Sequence, residues 1–286
     1  MRTVYVNGTW LPEDQATVSV FDRGFLMADG VYEVTTVIDG KLIDFPGHVA
    51  RLERSLRELD MPSPATADDL LALHREIVAR NGVTDGRVYL QVTRGNPGDR
   101  DFAFPDPATT APTLVMFTQV TGRPEDSADA QRGLKVLSIP DIRWARRDIK
   151  TTQLLYPSMG KMMAKRAGCD DAWLVEDGFV TEGTSNNAWI VKGGRIVTRA
   201  LSNEILHGIT RAAVMRYAAE AQMEVEERSF TLDEAKAADE AFVTSASAFV
   251  MPVVEIDGVR LGDGTPGLVA RRLREIYLDE SRKSAL

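Results

Sequence analysis

Five dipeptides, Asn7-Gly8, Asp39-Gly40, Asp177-Gly178, Gly193-Gly194 and Asp257-Gly258, lie between runs of alternating or β-branched apolar residues. Each supplies the positive φ angles that a tight hairpin turn needs, so both halves of the chain are committed to antiparallel strand pairs. Helical patterns interrupt these hairpins. Pro46 opens one, with Val49, Leu52, Leu56 and Leu59 on a single face, and Asp68-Asp69 and Asn81-Gly82 bracket a second. Further helices are expected over residues 157–167, 209–223 and 266–282. Because strands and helices do not alternate regularly, the pattern predicts an α+β fold rather than a doubly wound parallel sheet.

RVYLQVTRG (87–95) and TLVMFTQV (113–120) read as strands. The Gly-, Pro- and Asp-rich stretch from Gly95 to Pro112 reads as a long loop of the kind that carries binding residues. RPEDSADAQRG (123–133) is polar and turn-rich, and apolar alternation resumes after it at LKVLSI. The expected organisation is therefore an N-terminal α+β domain over 1–122, a linker over 123–133 and a C-terminal α+β domain over 134–286.

Composition removes several functions. A net charge of −8 without a basic stripe gives no electrostatic support for nucleic acid binding. The lone Cys169 makes no internal disulfide, and neither a secretory leader nor a run of eighteen apolar residues is present, so a cytoplasmic protein is expected, without a membrane partner. His48, His74 and His207 are widely separated and no HExxH or cysteine pair occurs, which disfavours a catalytic metal. GDGTPG (262–267) follows a hairpin and reads as a turn, and GxSxG, P-loop and kinase signatures are missing. Amine chemistry remains.

Of the 34 basic residues only eight are lysine, so a nucleophilic amine has few candidates. Lys41 and Lys192 sit at turns, Lys236 on a charged helix and Lys283 near residue 286; Lys161 and Lys165 share a helix face, and Lys135 should face outward from a strand. Lys150 differs. Ile149, Leu154, Leu155 and Trp144 can desolvate it, and Arg146 and Arg147 can add positive charge, both of which favour the free amine. A surface ion pair is the ordinary alternative.

Other segments carry similar pairs of readings. Glu182, between an apolar strand and the small polar run GTSNN, is either a turn residue or a carboxylate facing a ring nitrogen. Gly208, Ile209 and Thr210 form a helix N-terminus able to take a phosphate, or a plain cap. Backbone amides at Ser245 and Ala246 can form an anion nest, or an empty turn. Arg51 borders the apolar face of its helix, from where an arginine can reach into a cleft.

The order of these segments resembles the fold-type IV pyridoxal-phosphate aminotransferase family, and within it the bacterial D-amino acid aminotransferases. The resemblance runs from DRGFLMADGVYEV (22–34) through HVARL (48–52), YLQVTRG (89–95), DIRW and DIK (141–150), VTEGTSNN (180–187) and GITR (208–211) to VTSASAFVMPVVEIDG (243–258). It implies two α+β domains, a homodimer, and pyridoxal 5'-phosphate bound covalently by Lys150. It further implies that Glu182 pairs with the pyridine nitrogen, that Arg51, Ile209, Thr210, Ser245 and Ala246 hold the phosphate, and that Leu206 packs on the ring. Tyr32 and Tyr89 would line the substrate side. The implied reaction moves an amino group from a D-amino acid to a 2-oxo acid such as 2-oxoglutarate or pyruvate. Branched-chain L-amino acid or (R)-amine transamination, an aminodeoxychorismate-type lyase and a non-catalytic binding protein are the alternatives.

The chain departs from the pattern at two places. Where the D-amino acid enzymes carry an Arg-x-His pair after VTRG, it reads NPGDRDFAF, with Arg100 available for the substrate carboxylate and Phe102 in the histidine's place. Asn186 stands where serine is common and Ala246 lies in the phosphate turn, so cofactor binding there should rest on backbone donors.

Overall fold

The computed structural model describes all residues, 1–286, and the chain divides into two units. The first contains Met1–Arg123, Ile149–Gln153 and Ser284–Leu286; the second contains Pro124–Asp148 and Leu154–Lys283. No helix is long and apolar enough to cross a membrane.

In the first unit, strands β1 (Thr3–Val6), β2 (Thr9–Pro12), β3 (Gly30–Ile38), β4 (Lys41–Leu42), β5 (Gly86–Thr93) and β6 (Thr113–Val120) form one antiparallel sheet in the order β2-β1-β6-β5-β3-β4. Helices α2 (Phe45–Glu58) and α3 (Ala67–Asn81) pack their apolar sides on it; α1 (Arg23–Met27) is a single turn capped by the Asp22 carboxylate. Leu52 and Leu56 of α2, Leu70 and Ile77 of α3 and Val88, Leu90 and Met116 of the sheet are buried in one core. Asn7 and Asp39, both at positive φ with glycine following, close the two expected hairpins. Thr66 and Asp69 form a reciprocal capping box at the start of α3, and Gly82 ends it in the left-handed region.

The second unit opens with a 3-10 turn (Pro124–Asp126) and a short helix, α4 (Ala128–Arg132), capped by the Ser127 hydroxyl, where a polar linker was expected. Its sheet is built from β7 (Leu134–Pro140), β8 (Asp171–Glu176), β9 (Phe179–Gly183), β10 (Asn187–Lys192), β11 (Arg195–Thr198), β12 (Val225–Glu227), β13 (Glu240–Ser245), β14 (Phe249–Ile256) and β15 (Val259–Arg260). The order is β12-β11-β10-β13-β14-β7-β8-β9, with β15 added to β14. Hairpins supply the antiparallel pairs except β10–β13, which joins strands distant in sequence, whereas β7–β8, β14–β7 and β11–β12 are parallel. Helices α5 (Leu155–Arg166), α6 (Ile209–Glu220), α7 (Leu232–Lys236) and α8 (Leu268–Lys283) complete it. Trp173, Trp189 and Phe242 are fully buried, and the last two stack at 5.3 Å.

The α+β class holds in both units. The linear division differs: contacts assign the Lys150 segment to the first unit, although it lies beyond residue 134. An isolated bridge between Val31 and Thr151, and bonds from Tyr32 N–H to the Lys150 carbonyl (3.0 Å) and from Thr152 N–H to the Gly30 carbonyl (2.9 Å), lay this segment along β3.

Candidate active site

Within the first unit the candidate residues form two groups, Lys150 with Tyr32 and Tyr89, and Glu33 with His48 and Arg51. The β3 pairing fixes the backbone of Lys150, and its Nζ donates to the Tyr32 hydroxyl at 3.2 Å while lying 4.3 Å from the centre of that ring. Tyr32 stacks on Tyr89 (5.6 Å), and Tyr89 on Phe117 (4.7 Å). Burial, with Tyr32 next to it, pushes the Tyr89 phenol up to about 12, so it stays protonated and donates to Gln91 Oε1 at 2.7 Å.

The surroundings of Lys150 differ from those expected. Only Ile149 is buried; Leu154, Leu155 and Trp144 belong to the other unit and are exposed. The charges of Arg146 and Arg147 are spent on carboxylates: Arg146 meets Asp148 at 3.0 Å, and Arg147 grips Glu176 with two bonds of 2.8 Å. A tyrosine hydroxyl and ring therefore stand at the amine in place of aliphatic side chains and cations.

Arg51, at the border of the apolar face of α2, is buried. Its Nε donates to Glu33 Oε1 at 2.8 Å and a terminal nitrogen to Oε2 at 2.7 Å, where His48 Nδ1 also meets the carboxylate at 2.7 Å. Burial alone would raise the Glu33 carboxyl, but the Arg51 charge and the bonds from Arg51 and His48 hold it at about 2. Ser55, one turn after Arg51, faces the Lys150 N–H at 3.4 Å.

Within the second unit, Glu182 lies in β9 and is buried with three donors around it. Arg143 donates to Oε1 at 2.7 Å; Asn187 Nδ2 (3.1 Å) and the Leu206 N–H (3.0 Å) donate to Oε2. Burial pushes the Glu182 carboxyl up, opposed first by the Arg143 charge and then by the hydrogen bonds. Arg143 is itself held by Asp141 through bonds of 2.9 and 2.7 Å, and Thr181 donates to the same Asp141 at 2.7 Å. Arg143 and Asn187 had no sequence signal beyond their place in the DIRW and GTSNN segments.

Asn187 also ties Glu182 to the start of α6. Its Nδ2 donates to the Leu206 carbonyl at 2.9 Å, and its Oδ1 lies 2.1 Å from where a Cβ on Gly208 would stand, so any side chain there would push Asn187 off its bonds. Gly208 caps α6 without a side-chain bond, which leaves the first N–H groups, including those of Ile209 and Thr210, without intrahelical partners. The Thr210 hydroxyl is buried without a hydrogen-bond partner. An orphaned hydroxyl beside unpaired N–H groups at the positive end of a twelve-residue helix is the donor set that a phosphate ester satisfies. Asn186 is turned away from this role: its Nδ2 donates to the buried Asp171 carboxylate at 2.7 Å, and Thr184 donates to the same carboxylate at 2.6 Å. In the β13–β14 turn, Ser245 Oγ accepts the Ala248 N–H at 3.1 Å.

Arg100 lies in the loop between β5 and β6 with its guanidinium carbon 4.9 Å from the ring centre of Phe102, which is 77% exposed. The loop is pinned beneath that pair. Arg23, fixed to Asp29 at 2.7 Å, donates to the carbonyls of Asp101 and Ala103, and the Phe104 ring lies against Arg94 at 3.5 Å.

A model of the class IV amino-transferases matches residues 30–256. The chain is 37% identical over 286 residues to D-alanine aminotransferase of Staphylococcus haemolyticus, covering 99% of this chain and 100% of that protein. It is 37% identical to D-alanine aminotransferase of Bacillus licheniformis, covering 98% and 99% of the two. Among solved structures, the T.th. branched-chain amino acid aminotransferase with pyridoxamine 5'-phosphate superposes with a TM-score of 0.88 at 27% identity, over 97% of this chain and 93% of the other. The Escherichia coli branched-chain enzyme superposes equally well at 22% identity, over 98% and 94%.

Proposed function

The chain belongs to the class IV aminotransferases, and from that premise we propose that it moves amino groups from D-amino acids such as D-alanine to 2-oxo acids, with pyridoxal 5'-phosphate as cofactor. The observation that carries the cofactor reading is the second unit's pairing of a buried carboxylate, Glu182, with an uncapped helix start holding the partnerless Thr210 hydroxyl, joined through Asn187. The donor preference rests on near-full-length similarity to D-alanine aminotransferases, which exceeds the 27% identity to a branched-chain enzyme.

When bound, pyridoxal phosphate supplies a ring that accepts electrons from the substrate's α-carbon. Lys150 Nζ would be the amine that holds the cofactor, and the same nitrogen would take up and return the proton at the substrate's α-carbon. Tyr32 orients that amine, and with Tyr89 lines the substrate side. Glu182 keeps a proton on the ring nitrogen, while Arg143, Asn187 and the Leu206 N–H keep Glu182 in place. Leu206 packs on the ring. Ile209, Thr210, Ser245 and Ala246 hold the phosphate with backbone donors and a hydroxyl, and Arg51 contributes a guanidinium already oriented by Glu33. Arg100 takes the substrate carboxylate.

A homodimer in the cytoplasm completes the reading. The exposed apolar side chains of Leu155, Met159, Met162 and Met163 on α5 support the dimer, and a single cysteine without a disulfide fits a reducing compartment.

Purified protein is expected to absorb in the visible range, to retain cofactor after borohydride, and to lose that retention in Lys150→Ala. D-alanine with 2-oxoglutarate should yield pyruvate and glutamate faster than L-leucine or (R)-1-phenylethylamine yields its own products. A protein that gains no visible band when pyridoxal phosphate is added overturns the cofactor assignment. Preference for L-leucine or the amine would instead transfer the donor assignment to the other reading.

A further inference from the structure

The turn joining β13 to β14 is built around a residue poorly suited to it. Ser245 pairs with Phe249 across three turn residues, and Phe249 closes the turn at φ 62°. Three-residue hairpins of this form ordinarily place glycine there, because left-handed backbone brings Cβ against a carbonyl oxygen. Two contacts hold phenylalanine in that conformation. Its ring is buried 5.7 Å from that of Tyr277 on α8, and Arg274, one turn earlier on the same helix, reaches the turn's backbone.

Arg274 Nη1 donates to the carbonyls of Ala248 and Val250, both at 2.8 Å. The Ala248 carbonyl lies in the peptide plane that enters Phe249 and the Val250 carbonyl one plane beyond the residue, so one nitrogen spans the strained position from both sides. Nη2 donates to the Pro124 carbonyl at 2.6 Å, and the guanidinium carbon lies 5.7 Å from the Phe249 ring centre. All three acceptors are neutral carbonyls; the Glu125 carboxylate lies close enough to offset part of the guanidinium charge without replacing those bonds. Ser245 Oγ closes the turn from within by accepting the Ala248 N–H.

We propose that Arg274 is a positioning residue for phosphate recognition, locking the Ser245–Phe249 turn in the form that presents the Ser245 and Ala246 backbone to a phosphate ester, with its cation behind the turn. This rests on the phosphate role given to that turn above. Arg274 touches no cofactor; it acts through the turn.

The test compares pyridoxal phosphate with pyridoxal, which lacks the phosphate, by fluorescence titration of the full-length protein. Arg274→Gln should weaken pyridoxal phosphate by about tenfold, the scale of one charge-assisted contact, while pyridoxal changes by less than about twofold. The phosphorus resonance of the bound cofactor should broaden or shift in the variant. If Arg274→Gln does not fold, Arg274→Lys, which keeps the charge without the forked donors, should show the same selective loss to a smaller extent. Equal losses for both ligands, or no loss for pyridoxal phosphate, overturn the proposal. Wild-type protein that binds pyridoxal phosphate no better than pyridoxal overturns the phosphate reading and this inference with it.

Discussion

Glu182 is a carboxyl group on which two large effects oppose each other. Burial favours the neutral acid, while Arg143 at 2.7 Å and two N–H donors favour the anion that a ring nitrogen needs. Removing the cation leaves burial in control. Arg143→Leu is therefore expected to raise the Glu182 carboxyl further, moving the acidic limb of the kcat/KM profile to higher pH. A pH profile of D-alanine transamination checks this; an unmoved limb would mean that Arg143 does not govern the proton on Glu182. The sequence singles out Lys150 and Glu182 as candidates because each sits in a run of residues with its own chemistry. It does not single out Arg143, since its value depends on a partner 39 residues away. The surroundings of Lys150 were misread for a related reason: neighbours in sequence such as Leu154 and Arg147 turn to other tasks, whereas Tyr32, 118 residues away, stands at the amine.

Among the elements, α3 shows what periodicity and caps disclose. Its start at Thr66–Asp69 and its end at Gly82 follow from side chains within one turn, and so they were readable. Helices α1, α4 and α7 are five-residue turns held by single caps, Asp22, Ser127 and Thr231, and are too short to show a period. The parallel pairings of β7 were equally hidden, because turn dipeptides encode only antiparallel neighbours. On α3, His74 lies in the core with Nδ1 bonded to the Leu70 carbonyl at 2.7 Å and its ring edge-on to Phe45. Burial lowers it from 6.5 to about 4. The unfolded chain therefore takes up a proton below pH 6.5 that the folded chain refuses, and stability falls as pH drops from 6.5 towards 4, by roughly 3 kcal/mol in all. Urea unfolding at pH 7, 5.5 and 4 should show this slope, and His74→Leu should flatten it. An unchanged slope would place the acid sensitivity elsewhere, with Glu33 the next group, whose contribution is lost only as pH falls from 4.5 towards 2.

For the molecule as a whole, α5 carries a testable surface. Leu155, Met159, Met162 and Met163 follow helical spacing and are 77, 47, 47 and 40% exposed, a stripe that a solitary chain would leave in water. Met159→Glu with Met162→Glu is expected to weaken self-association at least about tenfold, seen as monomer by sedimentation velocity at micromolar protein. Wild-type protein that sediments as a monomer would remove the dimer from the functional reading. The two α+β units were foreseeable from turn and helix patterns, but their membership was not, because contacts rather than chain order assign Lys150 and residues 284–286 to the first unit. That interleaving has a consequence for synthesis on the ribosome. The last strand of the first unit's sheet ends at Val120, yet Lys150 arrives about thirty residues later. The strand edge at Leu42, which exchanges two backbone bonds with Leu286, waits until the second unit has been translated. A nascent chain paused between these points would display the first unit's sheet without the segment that lies along β3 or the residues that cover its edge.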